Sequence, residues 1–254
     1  MFEQNVRVVS VRSVAENTIA LSFSSPLIAR ASRPGQFVNV RIPDSIQGPL
    51  LRRPFSVSRV TRDRVEILFN IVGPGTALIG ARKRGDALDV LGPLGRPFKL
   101  DDDFRTAIIV AGGLGIAPFP FLTSALRKKK IDIMTFVGSR SARQLVSANL
   151  EHKKIATDDG SRGFHGNVVE LLGRALRRRM LKPKIFGCGP TPMLRALSAF
   201  ALKEDIPCEL SLEGEMACGV GLCQGCPVHR TGDGKRYSLM CTEGPTFLST
   251  EVIL

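Results

Sequence analysis

Four cysteines near the C-terminal end, Cys218, Cys223, Cys226 and Cys241, carry the most specific chemical pattern in the chain. They run as C-x4-C-x2-C, then fourteen residues, then C. That is the plant-type spacing for four thiolates around a [2Fe–2S] cluster. Gly219, Gly221 and Gly225 stand among them. A loop wrapping an anionic cluster needs positive φ and close backbone approach, so that its N–H groups can face the sulfurs. A structural zinc site remains the alternative, although zinc ribbons usually pair two CxxC knuckles and only one is present. Of the other two cysteines, Cys208 reads as a small buried apolar residue. Cys188, in Gly187-Cys188-Gly189-Pro190, suits a structural role and a nucleotide site equally.

Three further stretches hold residue types that grip phosphates. Arg52-Arg53-Pro54-Phe55-Ser56 opens a strand. An arginine there can clamp a pyrophosphate with paired hydrogen bonds, and Ser56 can offer a hydroxyl to the polar edge of a flavin ring. Basic residues at a strand start are common, so this signal is weak alone. Gly73-Pro74-Gly75-Thr76 precedes a short helical run, Ala77–Ile79, whose exposed N–H groups suit an anion. Gly112-Gly113-Leu114-Gly115-Ile116-Ala117-Pro118 follows an apolar strand and opens a helix. It suits a nucleotide pyrophosphate, or a tight strand–helix turn, and lacks the usual GxGxxG order. Ser139 and Arg140 could meet a 2′-phosphate, which leaves NAD against NADP open. Asp158 and Asp159 could meet a ribose or form a turn.

The elements that must position these residues fall into three segments. Val6–Val11, Ile19–Phe23, Phe37–Ile42, Phe55–Val60 and Val65–Phe69 are short β-branched or aromatic runs. Turn residues separate them at Pro34-Gly35, Asp44, Gly48-Pro49 and Arg62-Asp63, as in an antiparallel barrel or sandwich. Gly92-Pro93-Leu94-Gly95 reads as a loop after them. From Thr106 the texture changes to apolar strands alternating with helices. Strands are expected at Thr106–Ala111, Ile131–Val137 and Lys184–Phe186, and helices at Pro118–Lys129, Ser141–Leu150, Val168–Met180 and Thr191–Glu204. This alternation gives a nucleotide-binding parallel sheet. The expected organisation is therefore multi-domain, β then α/β: a barrel over 1–100, a nucleotide-binding α/β domain over 101–207, and a small cysteine domain over 208–254.

Composition narrows the class. The 254 residues are 43% apolar and 23% charged, as in an ordinary globular protein. No run is long and apolar enough for a membrane span: Ala107–Leu122 is broken by glycines and prolines. The start, MFEQNVRVVS, has charges where a signal peptide would have an apolar stretch, so a cytoplasmic location is expected. The net charge of +13 raises nucleic acid as a partner. Yet the basic runs Arg127–Lys130, Arg174 and Arg177–Arg179 fall where helices end and suit the helix dipole. With one Tyr and no Trp there are few stacking platforms. No nucleic-acid role is expected, and the basic surface is read as solvated or as docking an acidic protein.

Taken in order, the motifs resemble the ferredoxin-reductase superfamily and, more narrowly, the electron-transfer subunits of dihydroorotate dehydrogenase B. The resemblance rests on RRPFSV at 52–57, VGPGT at 72–76, LGPLG at 91–95 and AGGLGIAPF at 111–119. DDGSRGFHG at 158–166, FGCGPTPML at 186–194, SLEGEMACGVGLCQGC at 211–226 and CTEGPTF at 241–247 extend it along nearly the whole chain. It departs at Arg96-Pro97, where the family often has Asn-Gly.

The resemblance implies FAD between the barrel and the nucleotide domain, a [2Fe–2S] cluster, and NAD or NADP as substrate. By position it gives Arg53, Pro54, Phe55, Ser56, Phe69, Asn70, Ile71, Gly75 and Thr76 to the flavin. Gly113, Gly115, Cys188, Gly189 and Pro190 go to the nicotinamide nucleotide, and Cys218, Cys223, Cys226 and Cys241 to the cluster. No acid–base residues are implied, because the cofactors carry the chemistry. The implied partner is an FMN-containing dihydroorotate-oxidising subunit, in a heterotetramer. Subunits of hydrogenases, sulfide dehydrogenases and ferredoxin-dependent transhydrogenases share the pattern and are the nearest alternative. A zinc-stapled basic binding module is the alternative from another class.

Overall fold

The computed structural model describes residues 1–42, 49–146, 150–176, 180–232 and 234–254. Six strands close an antiparallel barrel: β1 Phe2–Ala15, β2 Thr18–Ser24, β3 Phe37–Arg41, β4 Arg53–Thr61, β5 Arg64–Asn70 and β6 Ala87–Leu94. Their order around the barrel is β1-β2-β5-β4-β3-β6. Alternation decides the inside: Val38 and Val40 of β3, Val65 and Ile67 of β5, and Leu88 and Val90 of β6 are all fully buried in one apolar core. Two short helices, α1 Pro26–Ala31 and α2 Pro74–Gly80, fill the crossings.

The seven-stranded sheet has the order β10-β9-β8-β7-β11-β12-β15. Its strands are β7 Thr106–Gly112, β8 Asp132–Ser139, β9 Lys153–Thr157, β10 Phe164–His165, β11 Pro183–Cys188, β12 Cys208–Ser211 and β15 Thr246–Leu248. All neighbours are parallel except β12 and β15. Helices α3 Phe119–Lys128, α4 Val168–Ala175 and α5 Thr191–Lys203 cover it. Strand β7 is buried along its whole length, which explains its unbroken apolar run. Between β12 and β15 lie a hairpin of β13 Pro227–His229 and β14 Tyr237–Leu239 and a single turn of helix, α6 Met240–Glu243. The cysteine segment is thus anchored at both ends in the sheet. Among the described residues, no helix is long and apolar enough to cross a membrane.

Two expectations are corrected. No helix spans Ser141–Leu150: a 3-10 turn covers Ala142–Gln144, and residues 147–149 lie outside the described ones. The chain leaves the 3-10 turn with Leu145 extended at φ -75 and ψ 110, and Leu145, Val146 and Leu150 are buried against the sheet. Gly92-Pro93-Leu94 is not a loop but the end of β6. The β3–β6 register shifts there, with Phe37 opposite Leu94 and Asn39 opposite Leu91. A bulge absorbs the glycine and proline that discourage a regular strand. The turn residues expected at Asp44 and Gly48, and the basic run 177–179, also lie outside the described residues.

Candidate functional site

A cavity of about 700 Å³ opens at the carboxyl ends of β7, β8 and β11, where open α/β sheets take their ligands. Gly113, Leu114, Ser139, Arg140, Asp158 and Pro190 line it. Gly113 has φ +55 and nothing within 4 Å of where a Cβ would stand, so its backbone faces open space. Gly115 has another task. A Cβ there would meet the Cys188 carbonyl oxygen at 2.3 Å, so the glycine lets the β7 turn press against the end of β11. Gly189, with φ +157, turns the chain behind the wall.

Cys188 lines neither this cavity nor its neighbour. It is buried, and its Sγ lies 4.0 Å from Glu213 Oε1. Burial, followed by the Glu213 charge, holds the thiol well above its ordinary range, so it is a poor nucleophile. Burial also raises the Glu213 carboxyl, even though that side chain is exposed to the second cavity.

That second cavity, of about 490 Å³, lies between the barrel and the sheet. It shares Asn70, Val72 and Leu114 with the first, so the two are contiguous. The barrel supplies Arg53, Pro54, Phe55, Ser56, Phe69 and Thr76. Phe55 and Phe69 pack with ring centroids 5.0 Å apart and make an aromatic floor. Ile71 lines the first cavity instead and is exposed. The Thr76 hydroxyl accepts from the Val72 and Gly73 N–H groups at 2.9 and 3.1 Å, which shapes the loop at the cavity edge.

Adjacent arginines have separate work. Arg52 is tied to Asp89 at 2.7 Å and to Glu3, and Arg41 also donates to Asp89. Arg53 is left to the cavity, with its guanidinium donating to the Leu51 carbonyl. A Cβ at Gly75 would come within 2.5 Å of Arg53 Nε, so the glycine makes room for this arginine. A planar cation beside an aromatic floor and a nucleotide cavity is a cradle that fits a flavin with its pyrophosphate.

The sheet and the cysteine segment close the far side with Leu212, Glu213, Gly214, Met216 and Pro245. Sequence reasoning did not single these out as site residues. The signal was the motif stretches at 211–226 and 241–247, which carry all five. Asn17 and Thr18, at the β1–β2 turn, also line the larger cavity and had no sequence signal. At Arg96, where the family pattern departs, the N–H donates to the Gly244 carbonyl at 2.6 Å. The loop is therefore tied to the cysteine segment.

The four cysteines come together in two pairs. Cys218 and Cys223 are in side-chain contact, as are Cys226 and Cys241, and Cys218 is close enough to act electrostatically on Cys241. The N–H groups of Val220 and Cys223 donate to Cys218 Sγ, and that of Gly225 to Cys223 Sγ, each at 3.4 Å. Burial raises the Cys218 thiol, but these donors outweigh it and bring it to about 6. Burial, with Cys226 adjacent, pushes Cys241 up to about 11. Gly219 and Gly221 take φ +74 and +84, whereas Gly225 does not, and Gln224 adopts the left-handed turn instead.

Among the described residues, no three His, Cys, Asp or Glu side chains gather tightly enough to hold one metal ion. Four thiols at plant-type spacing, in a loop whose N–H groups already point at sulfur, suit a [2Fe–2S] cluster. The residues present fit a [2Fe–2S] cluster.

Comparison with known proteins agrees with this geometry. Residues 213–253 match the iron–sulfur cluster binding domain of dihydroorotate dehydrogenase B. The chain is 38% identical to the dihydroorotate dehydrogenase B (NAD(+)) electron transfer subunit of Desulforamulus reducens, over 98% of this chain and 97% of that one. The corresponding subunit of Enterococcus faecalis is 35% identical, over 99% and 98%. Among solved structures, the NADH-dependent reduced ferredoxin–NADP oxidoreductase superposes with TM-score 0.86 at 27% identity, covering 98% of this chain and 89% of that one. The ferredoxin reductase of carbazole 1,9a-dioxygenase shares the fold, with TM-score 0.69 at 22% identity and coverage of 81% and 67%.

Proposed function

The chain belongs to the family of dihydroorotate dehydrogenase B electron transfer subunits, and from this we propose that it passes electrons from a dihydroorotate-oxidising subunit to NAD⁺. The observation that carries the reading is the order of sites along one body: a paired-cysteine loop, an aromatic-floored cavity with Arg53, and a contiguous nucleotide cavity. When bound, FAD exchanges two electrons with nicotinamide and single electrons with a [2Fe–2S] centre, which is the conversion this pathway needs.

The chain's own residues bind and orient. Arg53 neutralises the flavin pyrophosphate, Phe55 and Phe69 floor the ring site, and Ser56 and Asn70 present polar groups to it. Gly113 and Pro190 shape the nucleotide site, with Gly115, Cys188 and Gly189 forming its rigid backing. Cys218, Cys223, Cys226 and Cys241 ligate the cluster, and the N–H groups at Val220, Cys223 and Gly225 favour its anionic sulfur. We divide the work at about residues 100 and 207 between flavin barrel, nucleotide sheet and cysteine segment, the last being fastened to the sheet by β12 and β15.

The partner we assign is an FMN-containing dihydroorotate dehydrogenase catalytic subunit, in a heterotetramer, in the cytoplasm. All six cysteines are free of disulfides, which suits a reducing compartment. The test is reconstitution. The FAD- and iron–sulfur-loaded chain, mixed with that subunit, is expected to give NAD⁺ reduction dependent on dihydroorotate and to co-migrate with it. No complex and no dihydroorotate-dependent NADH, with the loaded chain still oxidising NADH, would move the assignment to another redox partner.

A further inference from the structure

Strand β3 carries three residues on its outer face, Phe37, Asn39 and Arg41, while Val38 and Val40 point into the barrel core. Phe37 lines the flavin-sized cavity, and Arg41 donates to Asp89. Asn39 stands between them, fully buried and beside apolar neighbours such as Leu94. Its side-chain Nδ2 lies 3.4 Å from the carbonyl oxygen of Cys218. The next residue, Gly219, is pressed against it: a Cβ there would stand 2.1 Å from Asn39 Nδ2. Gly219 is therefore glycine for two reasons, its φ of +74 and this contact.

An amide in such a place needs a reason. Its Oδ1 is buried and has no hydrogen-bond partner among the described residues. Among the described residues its hydrogen bond goes to the cysteine loop rather than to the barrel. A leucine or valine would fill an apolar face without a stranded oxygen. The same strand, two residues away, touches the cavity where the flavin belongs. Asn39 thus joins the two redox sites through one rigid element.

Building on the function proposed above, we propose that Asn39 is a positioning residue that seats the Cys218–Cys223 loop on β3 and fixes the cluster's placement relative to the flavin. It touches neither reacting ring nor metal; it acts through the Cys218 backbone.

The test uses the full-length, FAD- and cluster-loaded protein and two variants. Asn39→Leu removes both polar atoms, and Asn39→Asp keeps the shape but replaces the donor. Both are expected to retain FAD and to pass electrons from NADH to ferricyanide, a direct flavin acceptor, within two-fold of the parent. Reduction of the cluster by NADH, followed by rapid mixing, is expected to slow at least five-fold. Amides of residues 218–223 are expected to exchange hydrogen at least ten-fold faster, a readout independent of turnover. Parent-like cluster reduction and parent-like exchange in both variants would overturn the proposal. So would joint loss of FAD and cluster in both, since that is a folding role. A parent protein that takes up neither FAD nor iron would instead sink the underlying function.

Discussion

Arg52 holds both carboxylate oxygens of Asp89 at 2.7 Å, and this grip separates it from its neighbour Arg53, which faces the cavity. Identical side chains at consecutive positions therefore have different consequences when removed. Arg53→Ala is expected to weaken FAD binding at least ten-fold while leaving stability nearly unchanged. Asp89→Ala is expected to cost about 2 kcal/mol of stability, because it releases Arg41 and leaves Arg52 paired with the exposed Glu3 alone. The figure lies below that of a fully buried pair because Arg41, the other partner, is 44% exposed. FAD titration and denaturant melts of the two variants separate these effects.

Cys223 is exposed, whereas Cys226 and Cys241 are buried. Cys223→Ser is expected to abolish the cluster's absorbance and electron paramagnetic signal while FAD stays at parental stoichiometry. The NADH-to-ferricyanide rate should survive and dihydroorotate-dependent activity should fall more than a hundred-fold. Iron, sulfide and flavin assays on one preparation check all three.

The two loop glycines predict an asymmetry. Gly113→Ala strains a left-handed backbone but meets no atom, so it should cost about 1 kcal/mol. Gly115→Ala drives a methyl into the Cys188 carbonyl and must displace β7 from β11. It is expected to raise the Kd for NADH at least ten-fold and to lower the melting temperature. Calorimetry with and without NADH reads both.

Lys184 is buried between Asp102 and Glu209, 2.5 and 3.1 Å away, and also donates to the Lys99 carbonyl. Because Glu209 in turn accepts from the Lys99 N–H, this cluster fastens the linker between barrel and sheet. Burial raises the Glu209 carboxyl and Lys184 opposes that shift. The folded chain therefore binds more protons than the unfolded one between the ordinary carboxylate pKa and the raised one. Glu209's contribution is complete below the ordinary value and is lost as pH rises through the raised one. Lys184→Met removes the opposing cation, so that window widens. The variant should lose about 3 kcal/mol near neutral pH and recover part of it on acidification. Unfolding curves across that range are the check, and equal losses at every pH would contradict it.

The sequence was legible where chemistry constrains spacing and opaque where contact is made across the chain. The cysteine motif needs fixed offsets, and its loop has the expected N–H donors at sulfur. The barrel runs were visible because their pleat alternates. The end of β6, Gly92-Pro93-Leu94, was read as a loop because Gly92-Pro93 has poor strand propensity, yet partners on both sides hold it in the sheet. The helix expected after Ser141 failed because apolar residues alone do not distinguish a helix from a loop pinned to a sheet. Glu213 and Asn39 acquire their meaning only from neighbours 25 and 179 positions away, a relationship no local pattern carries.

The most direct measurement is an anaerobic NADH titration of the chain loaded with FAD and iron–sulfide, followed by visible and electron paramagnetic spectra. The account predicts that NADH bleaches the flavin band and also produces the signal of a reduced [2Fe–2S] centre in the same protein. A loaded chain whose flavin bleaches while the cluster stays oxidised, or one that holds zinc in place of iron, would contradict the path from nucleotide cavity to cysteine loop.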